Sequence, residues 1–137
     1  MPEVKLQPGD RIGPLEKGPI DKVTLVKYAG ASGDFNPIHV DEEFARKAGY
    51  EKNFAHGMLT MGYLGQLLTD TFGPGAVLAF SVRFARIVWL GDSVKCYGEV
   101  AAADGHKLTL KVWAENQHRE KVVTGEATVK AGTPVSA

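Results

Sequence analysis

Residues 56–72 read HGMLTMGYLGQLLTDTF, and no charged side chain occurs from Gly57 to Thr69. Charged residues make up 23% of the 137-residue chain, so a gap of this length is unusual here. A helix that is apolar nearly all round is normally a buried helix. The stretch is too short to span a bilayer, which takes about 20 residues, and the Gly-Pro-Gly after Phe72 should end it. The sequence therefore predicts one long buried helix.

Three glycines lie in this predicted helix: Gly57, Gly62 and Gly65. Each destabilises a helix interior by about 1 kcal/mol relative to alanine. We therefore expect sheet backbone or a ligand to come close to the glycine-bearing face.

After Ala76 the apolar pattern changes to the period of two that is typical of strands. Strands are predicted over about 82–88, 94–100, 108–115 and 122–129. Ala-Asp-Gly-His at 103–106 predicts a hairpin turn, and a second polar turn follows at 116–120. Four consecutive strands form an antiparallel meander, whose apolar face must be covered. The uncharged helix is the element suited to cover it, so the fold class is α+β, with one helix wrapped by an antiparallel sheet.

The first half of the chain is less regular. Residues 1–20 contain four of the seven prolines and predict an extended edge segment with turns. Residues 22–28 fit either a short strand or a helix capped by Asp21. A short helix is predicted from Val40 to Gly49, because Asp41 can cap it and its acidic and basic residues match the helix dipole.

Composition limits the class of protein. The length is that of a single domain, residues 1–137, with a core over about 5–131. Sixteen basic and sixteen acidic residues balance, so nothing favours nucleic acid or a membrane surface as partner. The single cysteine, Cys96, excludes an internal disulfide, and the N-terminus lacks a signal-peptide pattern. A cytoplasmic location is expected.

A second informative stretch, YAGASGDFNPIH, runs from Tyr28 to His39. Residues five apart, such as Asp34 and His39, do not lie over one another on a helix. Pro37 also forces Asn36 out of the helical region, so the segment should bend and can direct both side chains to one point. Gly-Asp and Asn-Pro are equally ordinary turn dipeptides, so the residues alone leave a plain turn open.

The block AGASGDFNPIH over about eleven positions, followed by HGML at 56–59, resembles the signature of the MaoC-like, (R)-specific enoyl-thioester hydratases and 3-hydroxyacyl-thioester dehydratases. That family includes dehydratase subunits of bacterial fatty-acid elongation. The resemblance implies a hotdog fold, favours the helix over the strand at 22–28, and covers about residues 5–131. It implies a hydro-lyase acting in fatty-acid metabolism on thioesters of CoA or acyl-carrier protein.

The resemblance also implies roles for individual residues. His39 would take a proton from water, Asp34 would orient the water and help return a proton to carbon, and the Gly57 N–H would stabilise the thioester oxygen. Asn36 and His56 are expected to shape the site or contact substrate, with a structural role favoured for both. Some relatives carry a serine where this chain has Gly65, so no catalytic serine is predicted.

Other partners and groups are treated as follows. A metal site from His39, Asp41 and His56 matches no familiar ligand spacing, so no metal and no cofactor are expected. Arg83 and Arg86 should point to opposite faces of one strand, and one of them is a candidate for contact with CoA or carrier-protein phosphates. A small sheet around one helix leaves an edge exposed, so we expect a homodimer or higher homo-oligomer, with a heterodimer with another hotdog chain as an alternative.

Two rival functions share this fold. A hotdog thioesterase tends to place a carboxylate at or on the central helix, and here the first one comes only at Asp70. A non-catalytic partner subunit has no need of both Asp34 and His39. Enoyl-thioester hydration is therefore the preferred hypothesis.

Overall fold

The computed structural model describes the backbone of residues 5–135 and side chains as far as Ala131. The elements in chain order are β1 (Arg11–Lys17), α1 (Lys22–Ser32), a 3-10 turn (Pro37–His39), α2 (Glu42–Lys47), α3 (Gly57–Phe72), β2 (Val77–Phe84), β3 (Val94–Glu115) and β4 (Lys121–Val135). The helix alternative at 22–28 and both later helices are confirmed, as is the predicted edge segment apart from its first four residues, which lie outside the described part. Predicted caps form as well, because Asp21 accepts from the Thr24 N–H and Asp41 accepts from the Phe44 N–H.

The strands form one antiparallel sheet in the order β1-β3-β4-β2. β1 pairs with the first part of β3, from Arg11 opposite Glu99 to Lys17 opposite Val94. β4 pairs with the later part of β3 on one side and with β2 on the other. All four strands contact α3, so the predicted α+β hotdog arrangement is confirmed.

The predicted meander is wrong in its order. β2 ends at Phe84 instead of reaching Val88, and it pairs with β4 rather than with its sequence neighbour β3. Strands that are adjacent in sequence are usually adjacent in the sheet, but that rule is only a tendency. Here residues 85–93 carry the chain from one edge region of the sheet to another, and they form part of a cavity beside α3.

The predicted hairpin at 103–106 needs a qualification. β3 runs as one strand from Val94 to Glu115, so these residues do not form a separate turn between two strands. The chain nevertheless reverses, because the rings of Tyr97 and Trp113 stack with centroids 5.6 Å apart. Sixteen residues of straight strand would separate them by roughly 50 Å. Gly105, with φ 59°, lies midway in sequence between the two residues and departs from extended backbone, so the chain reverses there as the hairpin prediction requires.

α3 is buried on one side only. The face toward the sheet consists of Leu59, Thr60, Leu64, Leu67, Leu68 and Phe72. Met58 on the other side is 55% exposed, so the expectation of burial all round is wrong for the single chain. The sheet curves around part of the helix and leaves the remaining face without a covering layer among residues 5–131.

The three glycines of α3 differ in how closely other atoms approach them. A Cβ at Gly57 would lie 3.2 Å from the Phe84 ring, so this position is closely approached, although by a side chain. A Cβ at Gly65 would make an ordinary contact with Phe80, and at Gly62 nothing lies within 4 Å. The close-approach argument therefore holds only at the start of the helix. Within residues 5–135, no helix is both long and apolar enough to cross a membrane.

Candidate active site

The Tyr28–His39 segment is both a turn and a convergence point. α1 ends at Gly33, whose φ of 76° places it in the left-handed region and turns the chain away from the helix axis. The Asp34 carboxylate accepts from the Asn36 N–H at 3.2 Å, and the Asn36 side chain accepts from the Ile38 N–H at 3.1 Å. Asn36 thus caps the 3-10 turn that carries His39.

The hydrogen bonding of His39 fixes which ring nitrogen can act as a base. The side chain is only 8% exposed, and its Nδ1 lies 2.7 Å from the carbonyl oxygen of Phe54. A carbonyl can only accept, so Nδ1 carries the proton and Nε2 retains its lone pair. Burial lowers the pKa of His39 and the neighbouring His56 lowers it further, while the Phe54 carbonyl and the Asp34 carboxylate act in the opposite direction. A neutral imidazole is the form that accepts a proton.

His56 links this turn to the start of α3. Its ring stacks on that of His39, with centroids 3.8 Å apart and planes inclined by 26°. Its Nε2 lies 3.1 Å from the Asp34 carbonyl oxygen, so Nε2 donates and Nδ1 holds a lone pair. That Nδ1 is buried and has no partner among the described residues. The predicted structural role of His56 therefore has a concrete basis, because it ties the Asp34 backbone to the helix start.

Asp34, His39 and His56 converge. A carboxylate oxygen of Asp34 and one ring nitrogen of each histidine lie within 4.8 Å of one another. Two hydrogen bonds to one bridging water span up to roughly 5.6 Å, so a single water can contact both the carboxylate and His39. The Asp34 side chain is exposed, which leaves the water accessible from outside.

Among the described residues, these same three are the group whose side chains could hold a metal ion. Asp41, a candidate metal ligand in the sequence along with His39 and His56, instead caps α2. Imidazole lone pairs lie in the ring plane. Two rings stacked at 3.8 Å with a small inclination hold their lone pairs in nearly parallel planes, so both cannot point at one ion at ligand distance. The geometry therefore suits proton transfer better than tetrahedral coordination.

A cavity of about 320 Å³ opens beside the start of α3. His56, Gly57 and Thr60 form one wall, and the rest is mainly apolar: Phe54, Ala55, Phe84, Ala85, Arg86, Ile87, Val88 and Val123. The Thr60 hydroxyl is buried without a partner among the described residues, as is His56 Nδ1. An apolar cavity with a few polar atoms at one wall is typical of a small-molecule site.

The two arginines line different concavities, but the premise that they share one strand is wrong, because β2 ends at Phe84. Arg86 lines the cavity beside α3 and is ion-paired with Glu120 at 3.1 Å. Arg83 lines a larger concavity of about 600 Å³ that Arg11, Lys111 and Trp113 also line. None of Asp34, His39 and Gly57 lines that larger concavity. Gly57 and His56 line the cavity beside α3, whereas Asp34 and His39 are not among its lining residues and connect to it through the stacked His56 ring.

Sequence reasoning missed two polar residues beside His39. Asn53 is fully buried, and its side-chain N–H donates to the Ile38 carbonyl oxygen at 2.8 Å. The Lys22 ammonium donates to the Val40 carbonyl oxygen at 2.8 Å and to the Asn53 side chain. A buried asparagine in a polar connector has no local pattern that would single it out, so its contacts could be found only from the structure.

Known proteins resemble this chain over most of its length. The family model for the MaoC like domain matches residues 4–129. The chain is 39% identical over 113 residues to the (R)-specific enoyl-CoA hydratase of Aeromonas caviae, covering 77% of this chain and 82% of that protein. It is 43% identical over 107 residues to a mitochondrial 3-hydroxyacyl-[acyl-carrier-protein] dehydratase of Arabidopsis thaliana, covering 74% of this chain and 64% of that protein. The solved structure of the (R)-hydratase from A. caviae involved in PHA biosynthesis superposes with a TM-score of 0.84 at 34% identity, covering 92% of this chain and 97% of that chain.

Proposed function

The chain belongs to the MaoC-like domain family, and we propose that it adds water to trans-2-enoyl thioesters to form (3R)-hydroxyacyl thioesters and catalyses the reverse dehydration. One observation carries the proposal: a carboxylate oxygen of Asp34 lies within 4.8 Å of a His39 ring nitrogen. His39 Nδ1 is hydrogen-bonded to the Phe54 carbonyl, so Nε2 is the nitrogen that can act as a base. The names of the relatives, a CoA hydratase and a carrier-protein dehydratase, support thioesters of either carrier as substrates.

In the hydration direction, His39 Nε2 removes a proton from the bridging water as the oxygen bonds to the β-carbon. The α-carbon then takes up a proton that Asp34 helps to deliver. The proton removed from water is the one that is returned to the α-carbon, so the net change is the addition of one water across the double bond. The water and the returned proton would reach the same face of the enoyl group, which gives syn addition, and the R configuration is the one named for a relative.

The thioester oxygen gains enolate charge during the reaction. Gly57 is the first residue of α3, so its N–H is free of an intrahelical acceptor and lies at the positive end of the helix dipole. A donor of this kind typically contributes about 3 kcal/mol to transition-state stabilisation. Because Gly57 and the apolar residues line the same cavity, the thioester can meet this N–H while the acyl chain contacts the apolar wall.

We also propose that the chain forms a homodimer. β2 is an edge strand, and the large apolar side chains around the site are exposed: Phe35, Met58, Phe84 and Ile87. A second copy would protect that edge and apolar surface. The single cysteine, which is buried, favours the cytoplasm as the location.

The test is the hydration of crotonyl-CoA, which is monitored as the loss of the enoyl absorbance. Asp34→Asn and His39→Ala should each lower kcat by about 10²- to 10⁴-fold while far-UV circular dichroism remains unchanged. Asp104→Asn and His106→Ala make the same changes at exposed positions in β3 and should retain full activity. Full activity of Asp34→Asn or His39→Ala contradicts the proposal. Release of free thiol without enoyl consumption would instead indicate a thioesterase, and activity only after addition of another hotdog chain would indicate a shared site.

A further inference from the structure

We propose that Lys22 and Asn53 are positioning residues that hold His39 in its reactive orientation. This inference rests on the proposed role of His39 as the base. It concerns two side chains from different segments, α1 and the connector before α3, that both reach the 3-10 turn. Neither is expected to contact the reacting atoms, so each acts through the imidazole.

The backbone on both sides of His39 is held by side-chain donors. The Asn53 amide N–H donates to the Ile38 carbonyl at 2.8 Å, and the Lys22 ammonium donates to the Val40 carbonyl at 2.8 Å. Lys22 also donates to the Asn53 side-chain oxygen, so the two donors are joined to each other. The peptide group that precedes His39 and the one that follows Val40 are thereby held by one hydrogen-bonded pair.

The connector that supplies Asn53 is itself anchored. The Asn53 carbonyl accepts from the Leu90 N–H at 3.1 Å, and Phe54 forms a β-bridge with Trp89. The next carbonyl along, that of Phe54, accepts a hydrogen bond from the His39 Nδ1–H. Asn53 therefore holds the backbone next to His39, and its neighbour Phe54 holds the His39 ring.

This arrangement explains why a fully buried amide and a half-buried ammonium lie where they do. Removing either donor leaves a carbonyl beside His39 without its partner, and the turn would shift to reach another donor. A shift of about 1 Å at a reacting group can lower a rate by roughly 10²-fold. It would also weaken the bond to the Phe54 carbonyl, which sets the His39 tautomer. Substrate binding should be much less affected.

The test compares Asn53→Asp, which keeps the acceptor for Lys22 but loses the donor to Ile38, with Lys22→Met, which keeps the methylenes but loses the ammonium. Each should lower kcat for crotonyl-CoA by about 10- to 100-fold with little change in KM. Lys22→Arg, which keeps a charged donor, should restore part of the loss. Lys95→Met is the matched control, since Lys95 makes a surface ion pair with Glu16 and should retain wild-type kcat.

A second readout does not depend on turnover. Nitrogen-15 NMR of the imidazole should show His39 protonated at Nδ1 in the wild-type protein and a mixture of tautomers in Asn53→Asp and Lys22→Met. Because Lys22 is only half-buried, Lys22→Met should fold and can be measured even if Asn53→Asp does not fold. Wild-type kcat together with an unchanged tautomer in folded Lys22→Met overturns the inference. An inactive wild-type protein would contradict the proposed function and still leave the tautomer measurement to test the positioning pair.

Discussion

Replacing Gly57 by alanine tests whether the first N–H of α3 receives the thioester oxygen. The added Cβ would lie 3.2 Å from two ring atoms of Phe84, which is tight but not prohibitive. The Phe84 ring is 52% exposed and can move by the few tenths of an ångström required. The free energy of unfolding should therefore change by less than about 1 kcal/mol.

Activity should fall much further than stability in Gly57→Ala. The new methyl group lies at the cavity wall where the thioester must approach the backbone. A displacement of about 1 Å from the N–H costs roughly 10²-fold in kcat, which corresponds to about 2.7 kcal/mol. The assay is the initial rate of crotonyl-CoA hydration, with thermal unfolding measured on the same samples.

Gly62→Ala provides the matched control further along the same helix. No heavy atom lies within 4 Å of the position its Cβ would take. This variant should gain up to about 1 kcal/mol in stability from helix propensity and keep wild-type activity. Equal activity of Gly57→Ala and Gly62→Ala would refute the assignment of the oxyanion site. Recovery of Gly57→Ala by an added Phe84→Leu would assign the loss to the displaced ring instead of to the blocked N–H.

Three further predictions follow from burial and close contacts. Burial disfavours the charged form of His39 and lowers its pKa, so kcat/KM should stay flat down to about pH 6.5 and fall only below it. A pH profile whose acidic limb is centred above about pH 6.5 contradicts this prediction. Gly125→Ala would place its Cβ against the Ser81 carbonyl oxygen in the paired strand β2. The free energy of unfolding should fall by about 3 kcal/mol and Tm by roughly 6–12 °C, and an unchanged Tm would be inconsistent with the β2–β4 register. Burial raises the pKa of the Cys96 thiol to about 12, so iodoacetamide at about pH 8 should modify Cys96 in urea but not in the folded protein. Labelling of the folded protein would show that this part of β3 opens.

Local patterns predicted the helices well. Asp41 caps α2 as expected, because capping depends on a side chain and an N–H three residues later. At residues 22–28 the local pattern fitted a strand or a helix capped by Asp21, and the helix is the one that forms. The start and end of α3 also follow from the run of uncharged residues and the glycine after Phe72. These features depend on interactions within a few residues, which a sequence displays directly.

Sheet order and the shape of the site were less accessible. Whether β2 lies beside β3 or β4 depends on how residues 85–93 pass around α3, and both placements satisfy the same alternating pattern. The open face of α3 could not be foreseen, because composition shows that a helix is apolar but not how far a sheet reaches around it.

The sequence by itself determined the central helix and placed a bend between Tyr28 and His39, since these depend on residue type and short spacing. The roles of Asp34 and His39 follow from the resemblance to the family and stay a proposal. Only the tertiary structure decided that His56 stacks on His39, that Phe54 fixes its tautomer, and that Asn53 and Lys22 hold the backbone on either side. Those contacts join residues 15 to 18 positions apart, and each depends on the three-dimensional path of the chain between α1 and α3.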